Sequence, residues 1–350
     1  MTSFPTVLPA PRTPDPMAAP ALRWGIIGPG WIAERFVGAV QRNTGQTMLA
    51  VGSRGAARSA AFAARHGVER SYGSYEALLA DPDVDVVYVA TPHNAHYPLA
   101  KLAIRAGKPT VVEKPIALNA AQATELRDLA AANGVFLMEA LWTVFLPKFD
   151  VVRQLLTDGV FGDIHSVLAD HGEHFEADHR ILRHDLAGGP MLDLGTYPVS
   201  FAQFVLGAPT EVIATGRPHP AGVNGQVSVI LSTDAAQAVV HTTVFANTPT
   251  TGAIAGTAAT LTIAGPFYQP GPMTLTSVDG AVLRYDEPAV AHEGLFFEAA
   301  EAARCIADGR LESPLRPLAD SVATLTTMDE MRRQIGQVFD EEKSPDDRRR

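Results

Sequence analysis

Cysteine is almost missing from this chain. Cys305 stands alone among 350 residues, which leaves no intrachain disulfide framework and fits a reducing, cytoplasmic setting. It falls in an apolar helical pattern and reads as a packed core residue. No apolar run comes near the ~18 residues that a membrane helix needs. Positive charge is short as well. Lys and Arg total 28 against 38 Asp and Glu, for a formal net charge of −10. That balance gives no basis for non-specific attraction to nucleic acid or to an anionic membrane. Compact metal-ligand spacing is lacking too. His165, His171, His174, His179 and His184 crowd one region with Asp170 and Asp178, yet no pattern such as H-E-x-x-H occurs. On a strand, His171 and His174 would face opposite sides. These side chains read as structural or solvated, and no metal is expected. The first twenty residues lack the charged start and continuous apolar centre of a secretory signal. With six prolines before Ala21, residues 1–20 are expected to be a disordered arm. Residues 341–350 are expected to be a disordered charged tail.

What is present is organised around one stretch. Trp24 to Ile27 reads as a buried strand, Gly28-Pro29-Gly30 as a turn, and Ile32 to Val40 as a helix with Ile32, Phe36, Val37 and Val40 apolar. With Ala33 this makes G-x-G-x-x-A in strand–turn–helix context. Gly28 permits the tight turn, Gly30 lets the backbone approach a pyrophosphate, and Ala33 lets helix and strand pack closely. The helix-start N–H groups of Trp31 and Ile32 would face the phosphates. An ordinary βα turn with two glycines is the plainer alternative.

Next, Thr47 to Gly52 reads as a second strand. A NAD-preferring site would carry Asp or Glu at its end. Here stand Ser53 and Arg54, with Arg58 following. Arg54 can grip a 2′-phosphate or stack on adenine, and Ser53 can donate to the same phosphate, so NADP is favoured over NAD. Solvated arginines at a helix start are the alternative. The β-branched run Asp85 to Thr91 suits a parallel strand covered on both faces. It ends in Thr91-Pro92-His93 at the ligand edge of such a sheet. Pro98 to Ala106 reads as a helix. Thr110 to Val112 is a strand leading into Glu113-Lys114-Pro115, where Lys114 could hold a hydroxyl and stabilise an alkoxide. Alternation of strands and helices up to Ala140 predicts a doubly wound parallel sheet.

Beyond it, Pro147 to Asp158 reads as a helix and Ser166 to Phe175 as a strand. Met191 to Leu206 reads as a helix kinked at Pro198. Asp193 and Tyr197, at i and i+4, would share a face of it. Short β-rich runs follow (Glu211 to Ala214, Gln226 to Leu231, Ala238 to Phe245, Ala259 to Ile263, Met273 to Ser277), then helices His292 to Asp308 and Ala319 to Gln334. These runs fit antiparallel strands. For Tyr197 the plain alternative is a satisfied buried phenol, and for Asp193 a helix-start carboxylate.

Gly28 to Ala33, Ser53-Arg54, Tyr72-Gly73-Ser74-Tyr75-Glu76, Thr91-Pro92-His93 and Glu113-Lys114-Pro115, in this order, resemble the glucose–fructose oxidoreductase/inositol dehydrogenase (Gfo/Idh/MocA) family. Met138-Glu139-Ala140-Leu141-Trp142-Thr143 is similar to its branch of dihydrodiol and D-xylose dehydrogenases. The likeness runs from about Arg23 to about Gly336. It implies an α/β protein: an NADP-binding Rossmann domain over 21–143 and a substrate and dimerisation domain over 144–340. The second domain would carry a large, mostly antiparallel open sheet, with the last helices returning towards the first. A homodimer or higher homo-oligomer through that sheet is implied.

The resemblance also assigns residues. Lys114, Asp193 and Tyr197 would be catalytic. Gly28, Gly30, Trp31, Ile32, Ser53, Arg54, Arg58, Thr91, Pro92, His93, Glu113 and Lys114 would bind NADP. Trp142, Phe175 and His179 would touch substrate. In the implied mechanism the cofactor supplies hydride chemistry. Tyr197 would move the hydroxyl proton, its ordinary pKa near 10 lowered by neighbouring positive charge. Lys114 would bind the reacting oxygen, and Asp193 would orient Lys114 or a substrate hydroxyl. The branch often has Arg where this chain has Val144, which implies a substrate that is less polar or differently held. The expected substrate is an aldose such as D-xylose or D-glucose, oxidised at its anomeric carbon. A trans-dihydrodiol comes second and reduction of a keto-sugar third. A non-catalytic NADP sensor is the rival of another kind.

Overall fold

The computed structural model describes residues 4–287 and 294–342. The chain divides into two compact units. One is Pro14–Phe145 with Val290–Val322, and the other is Met1–Thr13, Leu146–Ala289 and Ala323–Arg350.

The first unit holds six parallel strands: β1 (Arg23–Ile27), β2 (Thr47–Gly52), β3 (Arg70–Tyr72), β4 (Val86–Val89), β5 (Thr110–Glu113) and β6 (Leu137–Ala140). Their spatial order is β3-β2-β1-β4-β5-β6, the doubly wound arrangement whose ligand crevice lies where β1 and β4 lead in opposite directions. Strands β4, β5 and β6 are buried at every position, as sheets covered on both faces require. Helices α1 (Trp31–Asn43), α2 (Ala56–His66), α3 (Tyr75–Leu79), α4 (His93–Arg105) and α5 (Ala120–Asn133) connect them. Phe36 of α1 stacks on Tyr88 of β4 at 3.8 Å and tilts against Trp24 of β1 at 5.4 Å.

Helix α4 begins earlier than the sequence suggests. Pro98 lies inside it, and its start is His93, just after Pro92. Burial of His93 and His96 along with Ala100, Ala103 and Ile104 holds the first turn in place, overriding the breaking tendency of proline. A later helix, α9 (Phe296–Ala307), belongs to this unit. The expected start of that helix, His292, lies outside the described residues.

The second unit carries eight strands: β7 (Ile164–Gly172), β8 (Glu211–Pro218), β9 (Asn224–Ser232), β10 (Gln237–Thr243), β11 (Gly252–Gly256), β12 (Ala259–Ile263), β13 (Met273–Ser277) and β14 (Val282–Tyr285). They run in the order β14-β13-β12-β11-β7-β10-β9-β8. Every pair is antiparallel except β7 with β10. Helices α6 (Pro147–Thr157), α7 (Pro190–Asp193) and α8 (Thr196–Leu206) accompany the sheet, and α10 (Leu318–Ile335) closes the chain.

The expected single helix from Met191 to Leu206 is two, parted at Leu194 and Gly195. The break is not at Pro198, which is the third residue of α8, where a helix has no use for its N–H anyway. Asp193 and Tyr197 therefore stand on different helices, and the shared-face argument does not apply to them. Strand β7 ends at Gly172, so His174 is not on it either.

Residues 4–20 are not a free arm. Within one unit, the Arg12 N–H donates to Asp150 at 2.7 Å and Gln154 donates to the Ala10 carbonyl at 2.9 Å. Within the other, Arg304 donates to the Asp15 carbonyl at 2.7 Å, and Ala19 packs with Ala300, Ala303 and Leu22. Proline has little backbone freedom to lose, so such a segment can be ordered by few contacts. Residues 343–350 of the expected tail lie outside the described residues.

Candidate active site

On the first unit, Gly28 follows β1 with φ +95°, a conformation that favours glycine. A Cβ there would stand 2.7 Å from Thr91 Cγ2 and 3.0 Å from the Ala90 carbonyl. The turn after β1 thus leans directly on the turn after β4. At Gly30 a Cβ would meet only the Ala90 carbonyl, at 3.7 Å. The protein's own packing leaves space there, as a cradle for pyrophosphate requires. Gly30 is the N-cap of α1 and no side chain caps that helix, so its positive end is available to an anion. Thr91 Oγ1 is buried without a hydrogen-bond partner, a donor the fold leaves unused. Arg58 reaches the Pro29 carbonyl at 3.3 Å, and Arg35 lies over the Trp31 ring at 4.9 Å. The Ser53 hydroxyl is already engaged, donating to Gly55 O at 2.8 Å and lying 2.7 Å from Ser59 Oγ. It shapes the turn that presents Arg54. These residues fit a nicotinamide dinucleotide.

The loop bearing Lys114 is tied down on every side. Glu113 accepts from the Lys114 N–H at 3.0 Å and from the Tyr88 hydroxyl. His96 contacts the Pro115 carbonyl at 2.7 Å. Glu139 accepts from the Ile116 N–H at 3.0 Å, and also from Arg316 Nη2 at 2.7 Å and Ser321 at 2.7 Å. Burial alone would raise the Glu139 carboxyl, but the Arg316 charge and these hydrogen bonds outweigh it and hold it below its ordinary value. Glu298 of α9 is fully buried, and neither carboxylate oxygen has a hydrogen-bond partner. Burial, then the charge of Glu113, pushes its carboxyl well up. Trp142 sits in a short 3-10 turn, Trp142–Phe145, and is buried.

On the second unit, Tyr197 is buried in an aromatic stack. Its ring lies 4.3 Å from Tyr268 at an interplanar angle of 20°, and His171 stacks on the other ring, 4.6 Å from Tyr268. His171 Nε2 lies 2.8 Å from a Glu173 carboxylate oxygen, which makes Nε2 the donor, and in the neutral ring Nδ1 is then the acceptor. That Nδ1 is buried and has no hydrogen-bond partner. Asp193 pairs with Arg180 at 3.1 Å. His179 stacks on Phe175 at 4.4 Å and accepts from the Ile181 N–H. Burial, then the nearby Arg180 charge, lowers its pKa.

Residues 22–141 match the profile of the Gfo/Idh/MocA oxidoreductase family, described as an NAD-binding Rossmann fold. Residues 149–262 match the C-terminal domain of the same family. The chain belongs to the Gfo/Idh/MocA family.

Its similarity to individual members of that family runs end to end. It is 34% identical to trans-1,2-dihydrobenzene-1,2-diol dehydrogenase of Xenopus tropicalis, over 91% of this chain and 99% of the relative. The enzyme of that name from Mus musculus is 35% identical over 92% and 99%. Among solved structures, a 3-ketoreductase from Actinomadura kijaniata in complex with NADP and TDP-benzene superposes with a TM-score of 0.79 at 27% identity, covering 90% of this chain and 98% of that one. As a Gfo/Idh/MocA member the protein is an NAD(P)-dependent oxidoreductase acting on CH–OH groups. No helix among the described residues is long and apolar enough to cross a membrane.

Several participants escape a sequence reading of this family member. Tyr268, His171 and His96 stand in none of the motifs, and the motif that holds Glu139 gives no sign of its partner Arg316. Of the histidines that read as structural or solvated, His171 is a buried one, packed against Tyr268. One signal was available: a strand that alternates buried and exposed positions puts Val167, Ala169 and His171 on its inner face.

Proposed function

We propose that the protein is an NADP-dependent dehydrogenase of ring-borne vicinal diols, with a trans-dihydrodiol as first substrate and a pyranose as second. The Tyr197–Tyr268–His171 stack carries this reading: flat apolar faces beside a phenol suit a ring that bears hydroxyls. Full-length kinship with dihydrodiol dehydrogenases supports it over the aldose expected from sequence. Similarity to a 3-ketoreductase supports the reverse direction on a keto-sugar as the second reading.

When bound, NADP would supply the hydride-accepting chemistry through its nicotinamide. In this reading Tyr197 accepts the hydroxyl proton during oxidation and returns it during reduction. Lys114 holds the reacting oxygen and stabilises its developing negative charge. His171 Nδ1 accepts from a second ring hydroxyl. Asp193 and Arg180 fix the loop that carries His179 and Phe175 beside the substrate, and Trp142 supports the Lys114 side. Gly28, Gly30, Trp31, Ile32, Thr91, Pro92, His93 and Glu113 form or support the dinucleotide cradle. The deciding experiment is cofactor reduction, followed by absorbance, with trans-dihydrodiols, aldoses and cyclic polyols. Turnover of none of them, in either direction, overturns the reading in favour of a sensor.

NADP preference rests on Arg54 and Arg58, since no carboxylate stands at the end of β2. A charge-assisted bond to a phosphate is worth about 1.5–3 kcal/mol. Arg54→Ala is therefore expected to raise KM for NADP roughly 10- to 100-fold and leave KM for NAD unchanged. Equal effects on both cofactors would place Arg54 elsewhere.

A homodimer is part of the proposal. Ile213, Ile230, Val239 and Leu168 are exposed by 53%, 38%, 47% and 50%. They pair in register across β8, β9, β10 and β7, so one apolar row crosses the sheet. A second copy of this face would cover it. Light scattering that reads a monomer at micromolar concentration would remove it.

A further inference from the structure

His96, on α4, is 1% exposed. Its Nδ1 lies 2.7 Å from the Pro115 carbonyl oxygen and its Nε2 lies 2.7 Å from the Thr91 carbonyl oxygen. A carbonyl oxygen only accepts, and a neutral imidazole has a single N–H. Both contacts are hydrogen bonds only if both ring nitrogens carry a proton. We propose that His96 is a buried imidazolium that ties the Thr91-Pro92-His93 turn to the Lys114-Pro115 loop, and that it is a positioning residue for Lys114.

The surroundings bear on that charge. The His93 ring lies 5.7 Å away on the same helix. The loop from β5 brings Glu113 and Lys114, with Tyr88 of β4 bonded to Glu113. From β6, Glu139 holds the next N–H of the loop, that of Ile116. Glu298 of α9 interacts with Glu113, whose charge adds to burial in pushing the Glu298 carboxyl up. A neutral His96 would turn a lone pair towards one of the two carbonyls, and one loop would lose its tie. Each tie sits at or beside a group of the proposed site: Pro115 follows Lys114, and Thr91 itself bears the unused Oγ1.

The role at Lys114 rests on the proposed function, whereas the protonation state does not. The test is therefore two-part. Full-length protein labelled with 15N-histidine is examined by ring-nitrogen NMR at pH 8, where a histidine near its ordinary pKa of about 6.5 is neutral. His96, identified by its loss in His96→Gln, is expected to show two protonated nitrogens. If that variant does not fold, the wild-type protein still reports whether any of its 11 histidines remains doubly protonated. One protonated and one bare nitrogen at His96, or no doubly protonated histidine, overturns the proposal. The second part is kinetic. His96→Gln is expected to lower kcat at least tenfold, with KM for NADP changed less than threefold. An imidazolium signal with undiminished kcat overturns the positioning role and leaves the activity reading standing. A wild-type protein inactive towards every substrate, with the signal present, overturns the activity reading and the role at Lys114 together, and leaves the imidazolium tie intact.

Discussion

Tyr197→Phe is expected to lower kcat for alcohol oxidation by about 10²- to 10⁴-fold, the range contributed by a positioned proton-transfer group. That corresponds to roughly 3–5 kcal/mol of barrier. The substitution isolates the chemistry. Phenylalanine keeps the ring that stacks on Tyr268 at 4.3 Å, so the wall of the site and the packing of α8 survive. Only the hydroxyl leaves. Affinity for NADP, read by fluorescence titration, should not change, and the denaturation midpoint should move little. Turnover within threefold of wild type would show that another group carries the proton, and His171 would then be the first to test.

Glu139→Leu is expected to destabilise the protein by about 3–5 kcal/mol, the penalty for leaving a buried partner charge uncompensated. Glu139 is 1% exposed and Arg316 is 5% exposed, so water cannot take over the lost contacts. The same substitution frees the Ile116 N–H and loosens the loop that carries Lys114. The effect on kcat should therefore exceed what lower stability alone explains. The pH dependence follows from the direction of the shift. The Glu139 carboxyl is held below its ordinary value in the folded state. Its contribution is fully present above the unfolded pKa of about 4.3 and is lost as pH falls through the lower folded value. Urea titrations of wild type and Glu139→Gln should differ most above pH 5 and converge in acid. A gap that persists unchanged in acid would contradict the assignment.

Local chemistry accounts for much that was legible beforehand. Strand, glycine turn and helix at Trp24 to Val40 follow from residues adjacent in the chain, and so do the β-branched runs of β4 and β5. The same holds for Lys114 at a strand end and for the absence of a carboxylate after β2. These features depend on periodicity and backbone freedom, which a sequence displays directly. Strands β11 and β14 were not legible. Gly252 to Gly256 is Gly-Ala-Ile-Ala-Gly, with almost no side-chain signal. Pairing with β7 and β12 makes it a strand.

The break between α7 and α8 was hidden for a related reason. A Cβ on Gly195 would stand 2.6 Å from the Met191 carbonyl, so close packing of one turn on another sets the boundary. Proline, which announces breaks locally, misled at Pro98 and at Pro198. The proline-rich start looked disordered because its partners, Asp150, Gln154 and Arg304, are far along the chain.

What the sequence by itself determined is therefore the nucleotide-binding half of the fold and the family, and it singled out Lys114, Asp193 and Tyr197 as the residues of the proposed site. The tertiary structure alone decided what surrounds them. Glu139 meets Arg316 across 177 positions, Tyr268 and His171 converge on Tyr197 from different parts of one unit, and His96 faces two carbonyls from two loops. Such partners are chosen by burial and by the need to satisfy every enclosed polar group, and neither is expressed in the order of neighbouring residues.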